Sequence, residues 1–151
     1  MTEKSAIINA LKKYFDITEL VCPHVYNKYG EKSWQFLDKD ALYGLLLMRE
    51  TIFGVPIYIN SYKNGKTQRG LRCNKCDLVK SKATLYLTQH MFGKAWDFTV
   101  RGYTAEQARK KIIENANLFP FKFRLEADKS WVHWDCMEQY GISEKVHLFY
   151  A

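Results

Sequence analysis

Two segments near the C-terminus, Phe121-Lys-Phe-Arg-Leu-Glu126 and Trp131-Val-His-Trp-Asp135, alternate strictly from one residue to the next. A strand places successive side chains on opposite faces, so this period of two commits both segments to a sheet. The four residues between them, Ala127-Asp-Lys-Ser130, suit a short loop, which makes the pair an antiparallel hairpin. Pairing Glu126 with Trp131 puts Phe121, Phe123 and Leu125 on the face of Val132 and Trp134. The opposite face then gathers Arg124, Glu126, His133 and Asp135 within cross-strand reach.

The segments before the hairpin say what the sheet packs against. Ile7, Ile8, Leu11, Tyr14 and Phe15 recur at helical spacing from Ser5 to Phe15. A second helix, capped by Asp38 or Asp40, runs through the apolar Leu42–Met48 and stops at Gly54-Val55-Pro56. Between them Leu20–Trp34 reads as a mixed stretch with turns at Cys22-Pro23-His24 and Tyr29-Gly30. Pro56–Ile59 and Lys94–Val100 read as strands. Thr104-Ala-Glu-Gln107 is a capping box opening a helix to about Ala116, with a stripe of Ala105, Ala108, Ile112 and Ala116. Val146, Leu148 and Tyr150 alternate in the last segment, as a final strand or a contact for a partner. These elements predict one α+β domain over residues 1–151, a mainly antiparallel sheet packed against helices. Residues 1–53 form its helical part, and residues 57–135 its sheet and site-bearing part. A chain of 151 residues buries enough apolar surface to fold without cross-links.

Charge is unevenly placed. The net charge is +7, yet the window Ser61–Lys82 alone holds Lys63, Lys66, Arg69, Arg72, Lys75, Lys80 and Lys82 against one acid, Asp77. The remainder is nearly neutral, so a basic nucleic-acid-binding surface is not expected: one loop is a small electrostatic footprint and carries no recognised motif. No apolar run approaches the ~20 residues that span a bilayer, and no signal-peptide pattern opens the chain, so membrane partners are not expected either.

The chemistry-bearing residues lie on either side of the capped helix. His90 and Asp97 in Gln89-His90-Met-Phe-Gly93-Lys-Ala95-Trp-Asp97 are good zinc ligands, and the small Gly93 and Ala95 let the backbone bring them to one ion. His133 on the polar hairpin face offers a third, completing two imidazoles and one carboxylate with a fourth position open. Gln-His-x-x-Gly-x-Ala-x-Asp followed by Trp-Val-His-x-Asp resembles the zinc D-alanyl-D-alanine carboxypeptidase and peptidoglycan endopeptidase family, and in particular its small phage-encoded members. The resemblance covers roughly Ile57–Asp135 and includes Asn60-Ser61, Arg69-Gly-Leu-Arg72 and the intervening helix.

The resemblance implies the hedgehog/DD-peptidase fold, a Zn2+ ion on His90, Asp97 and His133, and hydrolysis of peptidoglycan stem peptides by metal-activated water. Arg72, or failing that Arg69, takes the family's arginine role toward substrate, with Trp131 a further contact, and the basic loop is expected to overhang the site. The family's usual glutamate, three residues before the last histidine, is here Ser130. Glu126 is the expected catalytic base in its place and Asp135 the alternative, in a role that otherwise orients the site. A second reading for the same residues is an inactive member serving as a virion structural or cell-wall-binding protein. Either acts at the bacterial wall after lysis or as part of a virion, with phage virion proteins as further partners. Of Cys22, Cys73, Cys76 and Cys136 only Cys73-x-x-Cys76 is a short-spaced pair, so a second, structural zinc on the four cysteines, or on three of them with His24, is not expected, and Cys22 and Cys136 read as small buried apolar residues.

Overall fold

In the computed structural model, which describes residues 2–151, the hairpin forms from β3 (Phe123–Glu126) and β4 (Val132–Asp135). Its register places Arg124 opposite Asp135 and Leu125 opposite Trp134, two residues away from the expected pairing of Glu126 with Trp131. The loop uses Asp128 in the left-handed region (φ 60°) and takes in Trp131, which the expected pairing had put in the ladder. A shift of two leaves every side chain on the face its alternation assigns.

Three further strands complete the sheet: β1 (Ile57–Tyr58), β2 (Ala95–Val100) and β5 (Val146–Phe149), in the order β1-β2-β4-β3-β5. All neighbours are antiparallel except β5, which runs parallel to β3. Trp96 of β2 opposes Trp134, and Phe98 opposes Val132. With Phe123 and Leu125 they make one apolar face, all of it buried. Helix α3 (Lys39–Leu47) packs on it, begun by Asp38, whose carboxylate accepts from Asp40 N and Ala41 N. Trp96 Nε1 donates to the Ala41 carbonyl at 2.9 Å. Gly44 sits where a Cβ would meet the Trp134 ring at 2.6 Å, so only glycine lets this helix and strand approach so closely. The helix continues as a π-helical stretch, Met48–Phe53, and Gly54 ends it at φ 66°.

Helix α1 (Glu3–Leu11) buries Ile7 and Leu11, and α5 (Ala105–Glu114) buries Ala108 and Ile112. Both bonds of the Thr104/Gln107 capping box are made. The stretch read as turns instead holds α2 (Pro23–Tyr29) and a 3₁₀ segment, Gly30–Phe36. Pro23 at the first position starts α2 rather than breaking a turn. No residue of α2 is buried, so no apolar stripe announces it. The Ser61–Leu85 stretch is irregular apart from a 3₁₀ turn at Tyr62–Asn64 and one short helix, α4 (Asp77–Lys80). Among the described residues no helix is long and apolar enough to cross a membrane.

Candidate metal centre

The face of the sheet opposite the core carries Asp97, His133, Asp135, Arg124 and Glu126, by the same alternation that buries Trp96 and Trp134. Asp97 and His133 are direct partners across the β2–β4 ladder. His90 joins them from a 3₁₀ turn, Gln89–Phe92, where its own N–H donates to the Thr88 hydroxyl. Gly93 closes that turn at φ 69°, and a Cβ there would collide with the Phe36 carbonyl. The tight passage under residues 36–38 therefore needs glycine, and it delivers the chain into β2 with Asp97 facing His90.

One ligand atom from each of His90, Asp97 and His133 lies within 4.8 Å of the other two. His133 Nδ1 is 2.7 Å from Asp97 Oδ1, and His90 Nε2 is 3.2 Å from Asp97 Oδ2. The far nitrogen of each ring is held. His90 Nδ1 donates to the Gly70 carbonyl at 2.9 Å, and His133 Nε2 donates to Asp135 Oδ2 at 2.7 Å. Each ring thereby turns its remaining nitrogen toward Asp97, the arrangement in which a carboxylate or carbonyl behind a histidine fixes the tautomer that binds metal. The donor set, two imidazoles and one carboxylate, fits Zn2+ with room for a further ligand.

Asp135 has no exposure and is fully engaged. Arg124 grips it with Nε and Nη2, both at 2.9 Å, and Met137 N donates to it at 3.1 Å. Arg72 is buried, donating Nε to the Gln68 carbonyl at 2.9 Å and Nη2 to Asp97 Oδ2 at 3.3 Å. Burial raises the Asp97 carboxyl, but bonds from His133 and His90 outweigh it and hold it well below the usual range. Burial likewise lowers His133, and the Asp135 and Asp97 carboxylates overcome this to push it up to about 9. His90, for which burial is the largest influence, stays below the ordinary histidine value.

These groups line a cleft of about 810 Å³ that also receives Glu126 and Trp131. Glu126 has the Lys129 ammonium 3.6 Å away. No family model, curated protein or solved structure matches this chain.

Two expectations need correction. Arg69 does not reach the cleft: its side chain lines a separate depression with Asn60 and Tyr62. Its backbone serves the site instead, the carbonyl accepting from Asp97 N at 2.7 Å and the N–H donating to Asn60 Oδ1 at 2.9 Å. Of the seven basic residues in the Ser61–Lys82 window only Arg72 lines the cleft, beside the apolar Leu78 and Leu87. The long Lys side chains of an irregular segment gain more from hydration than from a shared wall.

Residues that the pattern did not single out also serve the site. Phe149 of β5 packs edge-on to His133, ring centroids 5.8 Å apart, and lies 4.3 Å from the Arg124 guanidinium carbon. Its signal was the last alternating segment, in which Phe149 has the parity opposite to Val146 and Leu148. The Gly70 carbonyl behind His90 has no sequence signal. Among the cysteines, Cys136 is buried as expected, and its thiol donates to Asp38 Oδ2 at 3.5 Å. Cys22 is not such a bystander: it lies with His24, Cys73 and Cys76 in a second cluster of donor atoms.

Proposed function

We propose that this chain is a zinc-dependent peptidase acting on peptidoglycan stem peptides, with His90, Asp97 and His133 as the metal ligands. The observation that carries this reading is the convergence of those three donor atoms with both histidine rings fixed from behind. Zinc held there supplies Lewis acidity, polarising an amide carbonyl and acidifying a water. The chain's own residues do the rest.

Three carboxylates line the cleft, and their surroundings divide the roles. Asp97 faces both histidines as a ligand. Asp135 accepts from Arg124, His133 and Met137, which leaves it to orient His133. Glu126 is the carboxylate with capacity to spare, and it takes the proton from the attacking water and returns it to the leaving amine. Arg72, steered by the Gln68 carbonyl, directs its guanidinium at the cleft to hold a substrate carbonyl or terminal carboxylate. The choice of peptidoglycan rests on the resemblance of the His90–Asp97 and Trp131–Asp135 motifs to wall-cleaving peptidases.

Zinc-loaded protein incubated with purified muropeptides is expected to release new amine termini. Glu126→Gln is expected to keep its zinc and to slow that release by about 10²–10⁴-fold, the usual contribution of a general base. No new termini from zinc-loaded wild type would refute the peptidase reading and favour a virion or wall-binding protein that holds metal without turnover.

A further inference from the structure

The second donor cluster lies away from the cleft, at the junction of the helical part with the basic segment. Cys22 is the N-cap of α2 and His24 lies in its first turn, while Cys73 and Cys76 flank the turn that leads into α4. A short parallel bridge between Val21 and Leu71 brings the two stretches side by side, with Cys22 N donating to the Leu71 carbonyl at 2.9 Å. One atom from each of the four residues lies within 4.8 Å of every other. Cys22 and Cys76 are buried.

The spacing can be compared with what a tetrahedral ion demands. Zn–S of ~2.3 Å and Zn–N of ~2.0–2.1 Å at tetrahedral angles require sulfur–sulfur edges of about 3.8 Å and sulfur–nitrogen edges of about 3.5 Å. Here Cys73 Sγ to Cys76 Sγ is 4.0 Å, Cys73 Sγ to His24 Nδ1 is 3.5 Å, and Cys76 Sγ to His24 Nδ1 is 3.7 Å. The backbone is turned toward the sulfurs as well. Lys75 N points at Cys73 Sγ and Cys73 N at Cys76 Sγ, each at 3.4 Å. Both N–H groups can donate to the sulfur of a metal-bound thiolate. A disulfide would need the sulfurs at ~2.0 Å and would use only two of the four groups.

We infer that Cys22, His24, Cys73 and Cys76 form a closed structural zinc site, distinct from the open site in the cleft. Four protein ligands fill the coordination sphere, so the site has no position for a substrate or a reactive water. Binding releases the thiol protons to solvent and exchanges hydrogen bonds within the cluster for metal bonds. Its effect is mechanical: it ties the start of α2 to the segment 71–76, and that segment begins one residue before Arg72. The site stands whether or not the cleft is catalytic.

Cobalt reconstitution separates the two sites, because only thiolate ligands give a sulfur-to-cobalt charge-transfer band in the near ultraviolet. Reduced, metal-free protein titrated with Co2+ is expected to develop that band, with saturation near one equivalent. His90→Ala and Cys136→Ser are expected to keep it, whereas Cys73→Ser and Cys22→Ser are each expected to lower it by about a third or more, one of three thiolates being lost. Because the cysteine variants can misfold, a second measurement uses the wild type alone. A mercurial thiol reagent added to the zinc-loaded protein in the presence of a colorimetric chelator is expected to free about one equivalent of zinc, the content of one closed site. The inference is overturned if Co2+ gives no thiolate band, if the band is undiminished in Cys73→Ser, or if thiol modification frees no zinc. It is overturned equally by protein purified without reductant carrying a Cys73–Cys76 disulfide instead of metal.

Discussion

Asp135→Asn keeps the volume of the side chain and removes its charge at a position with no solvent exposure. The two aspartate oxygens accept from Arg124 Nε and Nη2, His133 Nε2 and Met137 N. Asparagine offers one oxygen, and its NH2 group must face N–H donors that cannot accept from it. Arg124, with its side chain mostly buried, loses its counter-charge. Breaking a buried pair in this way costs about 3–5 kcal/mol. For a domain of this length each kcal/mol is worth about 2–4 °C, so metal-free protein is expected to melt about 6–20 °C lower. Loss of the carboxylate behind His133 is also expected to weaken zinc binding at the cleft by about 10–100-fold. Calorimetry of the chelator-treated protein measures the first effect, and competition with a chelating dye measures the second. A melting point within about 3 °C of wild type, together with unchanged zinc affinity, would refute the assignment of Asp135 as the buried anchor of His133.

Three other outcomes are expected. Gly44→Ala drives a methyl into the Trp134 ring and should destabilise by about 1–3 kcal/mol, seen as a lower Tm with the zinc content unchanged. Asp38→Asn removes the 3.0 Å pair with Lys94. Burial raises the Asp38 carboxyl, but Lys94 and the backbone N–H groups outweigh it and leave it depressed. Its contribution is therefore present above the unfolded value of about 3.9 and lost as pH falls through the folded value. The melting points of wild type and Asp38→Asn should differ by a few degrees at neutral pH and begin to converge as pH falls below about 4, and a gap that does not narrow at all with further acidification would contradict this. Arg72→Lys should retain zinc in the cleft and lower kcat on muropeptides by about 100-fold or more, read in the same digest.

The parts of this molecule written in local pattern are those that can be read before folding. The alternation of residues 121–126 and 131–135 places His133 and Glu126 on one face because parity survives a register shift of two. The Thr104/Gln107 box marks its helix because both bonds form within four residues. What escaped is long-range. Helix α2 lies on the surface, and propensity alone does not distinguish it from turns. Arg69 and Arg72 are equivalent as letters, and only the backbone path decides that Arg72 turns to Asp97 while Arg69 turns away. The grouping of Cys22 with Cys73 and Cys76 depends on one bridge, Val21 to Leu71, between segments about fifty residues apart.

The opposition of Asp97 and His133 across the β2–β4 ladder has a consequence for which ions the cleft admits. Main-chain hydrogen bonds set the separation of these two backbone positions, so neither donor rides on a flexible loop. A large cation such as Ca2+ asks for six to eight oxygens at ~2.3–2.6 Å and a cage that can expand to supply them. The sheet acts as a fixed gauge instead, suited to a small ion content with few ligands. On the proposed reading, ion selectivity rests on backbone register as well as on the identity of the donor side chains.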